Sequence, residues 1–132
     1  EQNVTLSCQG FGVAWSDRSM VRRVLANLVS NAIRHAQGGS AVTVRLIQEE
    51  AILRIEVHNQ GSPIDEIDAR RAFDRFYRGE TSRTASSEGA GLGLAIVKSI
   101  VELHGGSAGA SAIQGGTIFR VTLPASQTLQ IS

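Results

Sequence analysis

The chain has 132 residues, of which 42% are hydrophobic, and its formal net charge at pH 7 is +1. This length supports one domain with a substantial core and is short for two ordinary domains. Because charges of both signs are interspersed, we expect no direct contact with nucleic acid. The single cysteine, Cys8, excludes an internal disulfide and a cysteine-rich zinc site. No apolar run approaches the roughly 20 residues that span a bilayer, so we expect no membrane contact by this piece.

The first part of the chain is predicted to form two short strands and one long helix. Residues 4–8 alternate apolar and polar side chains, as a half-buried strand does, and residues 12–15 are interpreted as a second short strand. Asp17, or Ser16 before it, is a good N-cap for a helix that runs to residues 34–37, where a Gly-Gly pair ends it.

The rest of the chain is predicted to contain two β-hairpins, two helices and a long polar loop. The hairpins are formed by residues 41–48 with 51–58, and by residues 107–113 with 117–123. The segments between them are a short helix at 65–73, a polar loop at 77–89 and a second long helix at 92–103. The tail from about residue 124 is expected to be frayed. This order predicts a mixed sheet with helices on a single face.

Three glycines at alternate positions, Gly89, Gly91 and Gly93, run directly into the second long helix. Alternating glycines let the backbone approach a ligand closely, and the free N–H groups at a helix N-terminus favour an anion such as a phosphate. A P-loop is excluded because Lys98 comes too late, and a dinucleotide fingerprint because Leu94 replaces the third glycine. The string indicates a nucleotide site, with a glycine-rich turn before a helix as the alternative.

The first long helix carries an apolar arc with a polar arc beside it. The apolar arc consists of Val21, Val24, Leu25, Leu28 and Ala32. Asn27, Asn31, Arg34 and His35 form the polar arc, because spacings of four, seven and eight residues return to nearly the same side. Amide oxygens can ligate a hard cation while Arg34 and His35 meet anionic oxygens, which indicates Mg²⁺ held together with phosphates. A solvated polar face is the alternative.

Five segments, in this order, resemble the N, G1, F, G2 and G3 boxes of the catalytic ATP-binding domain of sensor histidine kinases. They are residues 27–35 (NLVSNAIRH), 59–64 (NQGSPI), 73–78 (FDRFYR), 89–94 (GAGLGL) and 115–117 (GGT). The resemblance implies the Bergerat fold, a two-layer α/β sandwich with a mixed sheet of about five strands. It makes residues 1–132 one catalytic and ATP-binding domain. The form of the boxes is similar to the heavy-metal (copper/silver) sensor subgroup.

The resemblance also implies the cofactors, ATP and Mg²⁺, and a set of site residues. Asn31 resembles the magnesium ligand, while Asn27, Arg34 and His35 resemble residues that contact phosphates or the water shell of the ion. Asn27, Asn31 and Arg34 are the candidate catalytic residues. The candidate nucleotide-binding residues are Asn27, Asn31, Arg34, His35, Asn59, Gly61, Ile64, Tyr77, Arg78, Gly89, Gly91, Leu92, Gly93, Leu94 and Thr117.

The G1 box departs from the family pattern at two positions. Asn59 stands where an aspartate normally accepts from the exocyclic amine of adenine, and Pro63 stands where a second glycine is usual. Asn59 can still accept through its amide oxygen without charge assistance, or it can flip its amide and prefer a base with a carbonyl. Thr117 resembles the residue that supports the adenine-binding side chain through water.

The function that the resemblance implies is that of a protein histidine kinase in two-component signalling. The γ-phosphoryl group of Mg-ATP would pass to a histidine on a separate dimerisation and phosphoacceptor domain, because His35, His58 and His104 all lack the H-E-x-x-x-P setting. A nucleotide-binding module with weak or no transfer is one alternative. An ATPase of the same fold is another, although Asn27 replaces the glutamate general base that those ATPases carry.

The sequence also leads to expectations about the longer protein to which this chain would belong. The chain begins at Glu1 without an initiator methionine, from which we expect a fragment of a longer protein. We expect the fragment to be a monomeric cytoplasmic domain, and the parent to be a homodimeric inner-membrane sensor. The resemblance implies a response regulator receiver domain as the second partner.

Overall fold

Three helices and five strands are formed by the residues that the structure, a computed structural model, describes: 4–12, 14, 17–75 and 92–125. In chain order they are β1 (Thr5–Gln9), α1 (Arg18–His35), β2 (Ala41–Gln48), β3 (Ile52–Gln60), α2 (Glu66–Arg71), α3 (Gly93–Leu103), β4 (Ser107–Ile113) and β5 (Gly116–Pro124). The predicted polar loop at 77–89 and the tail beyond residue 125 lie outside the described residues.

The five strands form one mixed sheet in the order β1-β2-β3-β5-β4. β1 is parallel to β2, and the other neighbouring pairs are antiparallel. α1 packs on β2 and β3, α3 on β4 and β5, and α2 on β4. The predicted α/β class is therefore confirmed, as is the single layer of helices over a mixed sheet.

α1 forms where its cap and its apolar arc were predicted. The Asp17 carboxylate accepts hydrogen bonds from the backbone N–H groups of Ser19 (2.9 Å) and Met20 (3.2 Å). A hydrogen bond from the Ser19 hydroxyl is the main cause that lowers the pKa of Asp17, and these two backbone bonds add to it. Val24 and Leu28 are fully buried against the sheet, which supplies most of the stability of an amphipathic helix.

Two contacts show that α1 and α3 run antiparallel. At one end, the backbone N–H of Asp17 donates to His104 Nε2 (3.4 Å), and the other ring nitrogen of His104 lies 2.7 Å from the Ile100 carbonyl oxygen. At the other end, Asn27 Nδ2 donates to the carbonyl oxygen of Gly93, the first residue of α3 (3.2 Å). The part of α1 that follows Asn27 therefore extends beyond the start of α3.

The prediction of a strand at residues 12–15 was wrong. Neither Gly12 nor Ala14 is in a strand, while residues 13, 15 and 16 lie outside the described residues. Gly10 has a positive φ of 81°, which turns the chain away from β1. A Cβ at Gly12 would lie 2.4 Å from Leu53 Cδ1, so the segment passes too close to the first hairpin to pair beside it.

The face of the sheet away from the helices carries a charged group in its middle. Glu56 is buried, and its carboxylate lies 3.1 Å from His58 Nε2. Arg45 and Arg120, its partners on the two neighbouring strands, each approach it to 3.8 Å. His58 thus takes part in a structural contact. No helix of the described ranges is long and apolar enough to cross a bilayer.

Candidate functional site

The polar end of α1 forms one wall of the candidate site. Asn31 is only 6% exposed, and its Nδ2 atom finds no hydrogen-bond partner within the described part of the chain. An unsatisfied buried polar group costs about 1–3 kcal/mol, so this amide is a position where a polar ligand would be stabilised. The amide oxygen of Asn31 is also the kind of hard ligand that Mg²⁺ prefers. The residue therefore fits the magnesium role that the family resemblance implies.

Asn59 and Thr117 form the second wall, on adjacent strands. They are direct partners in the β3–β5 ladder and are 3% and 4% exposed. Asn59 Oδ1 has no hydrogen-bond partner among the described residues, whereas Thr117 Oγ1 accepts from the backbone N–H of Ile64 at 3.0 Å. The Thr117 hydroxyl proton remains free to donate. Asn59 thus presents a buried amide group without a hydrogen-bond partner beside a hydroxyl donor.

Close backbone approaches hold Asn59 in place. Gly61 has φ of 144°, and its N–H donates to the Gly115 carbonyl oxygen at 3.0 Å. A Cβ at Gly116 would lie 2.0 Å from the Asn59 carbonyl oxygen, so only glycine allows β5 to approach β3 here. Gly116 was not predicted as a site residue. The sequence shows Gly116 beside Thr117 in the GGT segment. It does not show the pairing of β5 with β3, which brings Gly116 against the Asn59 carbonyl oxygen.

Arg34 and His35 complete the C-terminal turn of α1 and are exposed. Desolvation by the surrounding protein lowers the pKa of His35, and the neighbouring Arg34 charge lowers it further. His35 is therefore neutral at pH 7 and can donate one hydrogen bond, while Arg34 offers a full positive charge. Both side chains are partly open to solvent on the helical turn that follows Asn31.

The third wall is the start of α3. Its N-cap residue, Leu92, provides no side-chain cap, and the Ile96 N–H makes the bond to the Leu92 carbonyl oxygen at 2.9 Å that begins the helix. The N–H groups of Gly93 and Leu94 precede that bond and belong to the free donors of a helix N-terminus. The predicted site residues Tyr77, Arg78, Gly89 and Gly91 lie outside the described residues.

The structure thus joins the predicted residues into two bonded groups. Asn27 is joined to Gly93 across the two long helices. The second group lies at the ends of β3 and β5, where Asn59 pairs with Thr117 and the Ile64 N–H donates to the Thr117 hydroxyl oxygen. Gly61 belongs to the same group through its bond to Gly115. The described residues contain no cluster of three or more His, Cys, Asp or Glu side chains that could hold a metal.

Comparison with known proteins gives consistent matches. A family model described as "Histidine kinase-, DNA gyrase B-, and HSP90-like ATPase" matches residues 16–127. Sensor protein CzcS of Cupriavidus metallidurans is 41% identical over 125 residues, which are 94% of this chain and 26% of that protein. Sensor histidine kinase CusS of Escherichia coli K12 is 45% identical over 109 residues, 83% of this chain and 23% of that protein. The chain spans about a quarter of the length of these relatives.

Solved structures match as well. The mycobacterial sensor histidine kinase MprB has a TM-score of 0.80 and 30% identity, over 95% of this chain and 86% of that chain. The catalytic domain of histidine kinase ThkA has a TM-score of 0.78 and 28% identity, over 93% of this chain and 80% of that chain. The predicted Bergerat fold and the resemblance to the heavy-metal sensor subgroup are confirmed. The chain belongs to the family of histidine kinase-, DNA gyrase B- and HSP90-like ATPases.

Proposed function

We propose that residues 1–132 are the catalytic and ATP-binding domain of a sensor histidine kinase, which binds Mg-ATP and phosphorylates a histidine on another domain. One observation carries this proposal. Two buried amide atoms, Asn31 Nδ2 and Asn59 Oδ1, lack hydrogen-bond partners within the described residues. Because natural proteins rarely leave such groups unsatisfied, their pairing with a ligand is the simplest account of them.

The base of the nucleotide would lie between β3 and β5. Asn59 Oδ1 would accept from the exocyclic amine, and the Thr117 hydroxyl would donate to a ring nitrogen directly or through water. Gly61 and Ile64 shape this part of the site, since the backbone N–H of Ile64 fixes the Thr117 hydroxyl. A guanine base would present a carbonyl to Asn59 Oδ1, so the arrangement favours ATP over GTP.

The phosphates would lie between the end of α1 and the start of α3. Asn31 would hold Mg²⁺, which neutralises phosphate charge when it is bound. Arg34, His35 and the first N–H groups of α3 would donate to the phosphate oxygens. An imidazole nitrogen of the acceptor histidine forms a bond to the γ-phosphorus as the bond to the bridging oxygen breaks, and ADP leaves.

The acceptor histidine would come from outside this chain. His104 contacts Asp17 and Ile100, and His58 contacts Glu56, which supports structural roles for both. His35, His58 and His104 all lack the H-E-x-x-x-P setting of an acceptor histidine. ThkA, whose fold this chain shares, has been crystallised in complex with the response regulator protein TrrA. We therefore propose a response regulator as the downstream partner. From the similarity to CzcS and CusS, we also propose that the parent is a membrane-embedded, dimeric metal sensor with this domain in the cytoplasm.

ATP hydrolysis is the competing function within the family. It requires a general base one turn before Asn31, and the residue there is Asn27, an amide without useful basicity. The Nδ2 atom of Asn27 also donates to the Gly93 carbonyl oxygen, so the side chain has a different task. This observation favours the kinase over a hydrolase.

Calorimetric titration tests nucleotide binding and the role of Asn31. Wild-type protein is expected to bind Mg-ATP more tightly than ATP in excess EDTA. Asn31→Ala should abolish the magnesium-dependent part of the affinity, whereas Asn31→Asp, which keeps an oxygen ligand, should retain it. The absence of binding at millimolar nucleotide would rule out this function.

A second experiment separates a kinase from a nucleotide-binding module. The domain is mixed with its phosphoacceptor domain and γ-labelled ATP, and phosphohistidine is followed by its acid lability. Wild-type protein should label the acceptor, and Asn31→Ala should not. Nucleotide binding without labelling would identify the chain as a binding module, and release of inorganic phosphate without the acceptor would identify an ATPase.

A further inference from the structure

The bond between Asn27 and Gly93 gives Asn27 a role that is separate from contact with phosphate. Asn27 lies on α1 one turn before Asn31 and is half-buried. Its Nδ2 atom donates to the Gly93 carbonyl oxygen at 3.2 Å, across 66 positions of sequence. We infer that Asn27 is a positioning residue, which fixes the start of α3 relative to Asn31. This inference rests on the proposed function.

The start of α3 lacks the usual means of fixing a helix end. Leu92, its N-cap residue, has no side-chain hydrogen bond to the helix, and there is no acidic residue in the first turn. The Gly93 carbonyl oxygen would ordinarily accept only from the N–H four residues on, at Val97. The second lone pair of this oxygen accepts from Asn27, so α1 holds α3 directly where the helix begins.

This contact sets a distance that matters for a nucleotide. Asn31 lies on the wall formed by α1, and the N–H groups of Gly93 and Leu94 lie on the wall formed by the start of α3. A ligand that bridges a metal at Asn31 and these N–H groups needs the two walls at a constant separation. Asn27, a side chain of α1, provides this link by donating to the first residue of α3.

The bond also explains why the residue is an amide. The acceptor at 3.2 Å is a carbonyl oxygen, so the side chain has to donate. A carboxylate would place one acceptor against another, the Gly93 carbonyl oxygen, in a half-buried position. The position at which hydrolases of this fold carry a glutamate is therefore used here for support, and a carboxylate is incompatible with that support.

Hydrogen exchange of the unliganded domain tests the inference directly. Asn27→Asp is nearly isosteric but cannot donate, Asn27→Ala removes the group, and Ser30→Ala is a matched control at an exposed position of α1. The backbone amides of Ile96 and Val97 should exchange about tenfold faster in Asn27→Asp, to a smaller extent faster in Asn27→Ala, and at the wild-type rate in Ser30→Ala. Mg-ATP affinity should fall in the same order.

Different measurements test the positioning role of Asn27 and the proposed function. A residue that only contacts bound phosphate would leave exchange in the unliganded protein unchanged, so wild-type exchange at Ile96 and Val97 in both Asn27 variants would overturn the positioning role. That result would hold whatever happened to nucleotide affinity. Failure of the wild-type protein to bind Mg-ATP would instead contradict the proposed function, and the exchange rates would still report on the contact between the helices.

Discussion

At the scale of single residues, the buried polar side chains of the candidate site are neutral amides and a hydroxyl. Asn59 supplies a buried acceptor opposite Thr117, and Asn31 supplies a buried amide at the metal position. A neutral acceptor is less costly to bury than a carboxylate in the unliganded protein, and it forms a weaker hydrogen bond with the base. With ATP as the proposed ligand, we expect the G1 variant to lower nucleotide affinity and to stabilise the empty domain.

Asn59→Asp tests whether the neutral side chain lowers Mg-ATP affinity and stabilises the unliganded domain. Hydrogen bonds to charged groups contribute about 1.5–3 kcal/mol against about 1 kcal/mol for neutral pairs, so Mg-ATP should bind roughly tenfold more tightly. The unliganded domain should lose about 1–3 kcal/mol, because its buried carboxylate lacks a partner. Calorimetry and urea denaturation measure the two effects, and Asn59→Ala, which should bind more weakly, is the control. Equal affinities of the Asp and Asn forms would contradict this account.

His35 predicts a pH dependence of stability. Its pKa in the folded protein is below the ordinary value of 6.5, so the unfolded chain takes up the proton first as the pH falls. Its contribution to stability is complete above 6.5 and is lost as the pH drops from 6.5 towards the folded pKa. Urea denaturation between about pH 7.5 and about pH 5.5 should show a smaller decrease for His35→Gln than for wild type. Parallel profiles of the two proteins would refute the assignment.

At the scale of secondary structure, glycines decide how closely elements approach. β5 lies against β3 because Gly116 has no Cβ to meet the Asn59 carbonyl oxygen, and the turn before it uses the positive φ of Gly115, 79°. The chain after β1 turns away at Gly10 for the same kind of reason. The ends of strands, where the candidate site lies, are thus defined by residues without side chains.

Gly116→Ala should therefore damage both the fold and the site. The Cβ would meet backbone that cannot move freely, at an expected cost of about 1–3 kcal/mol, and Asn59 should be displaced enough to weaken Mg-ATP binding. Gly109→Ala, on the neighbouring strand β4, is the matched control, because a Cβ there has nothing within 4 Å and φ is not positive. Denaturation and titration of both variants measure the difference. A control as unstable as Gly116→Ala would show that strand glycines matter here for another reason.

The sequence predicts elements well where the signal is local. The cap at Asp17, the apolar periodicity of α1 and both hairpins depend on neighbouring residues, and each was confirmed within about two residues. The prediction of a strand at 12–15 was wrong, because the short apolar run does not reveal the turn at Gly10. The same limit applies to the site. Asn31 could be found from the helical pattern, but the bond from Asn27 to Gly93 depends on how two distant helices align.

At the scale of the whole molecule, the site connects three parts of the fold. One wall is α1, the second is the pair β3 and β5, and the third is the start of α3. A nucleotide that contacts all three walls binds the folded state and not the unfolded chain, so it should stabilise the entire domain.

Thermal unfolding measures this coupling. Mg-ATP at about 100 times its Kd should add about 2.7 kcal/mol and raise Tm by roughly 10 °C. Asn31→Ala should reduce the shift, and Mg²⁺ without nucleotide should have little effect because no described acidic cluster holds the ion. An equal shift with Mg²⁺ alone would mean that the stabilising site lies elsewhere.

The position of β5 in the sheet has a consequence for synthesis of the protein. It is the last described element of the chain, yet it pairs with β3 and carries Thr117 to its place beside Asn59, 58 residues away. A growing chain that has already completed both long helices therefore still lacks half of its base pocket. With ATP as the proposed ligand, binding through both residues requires that the final strand has left the ribosome and entered the sheet, so we expect no stabilisation of partly made domains by the nucleotide.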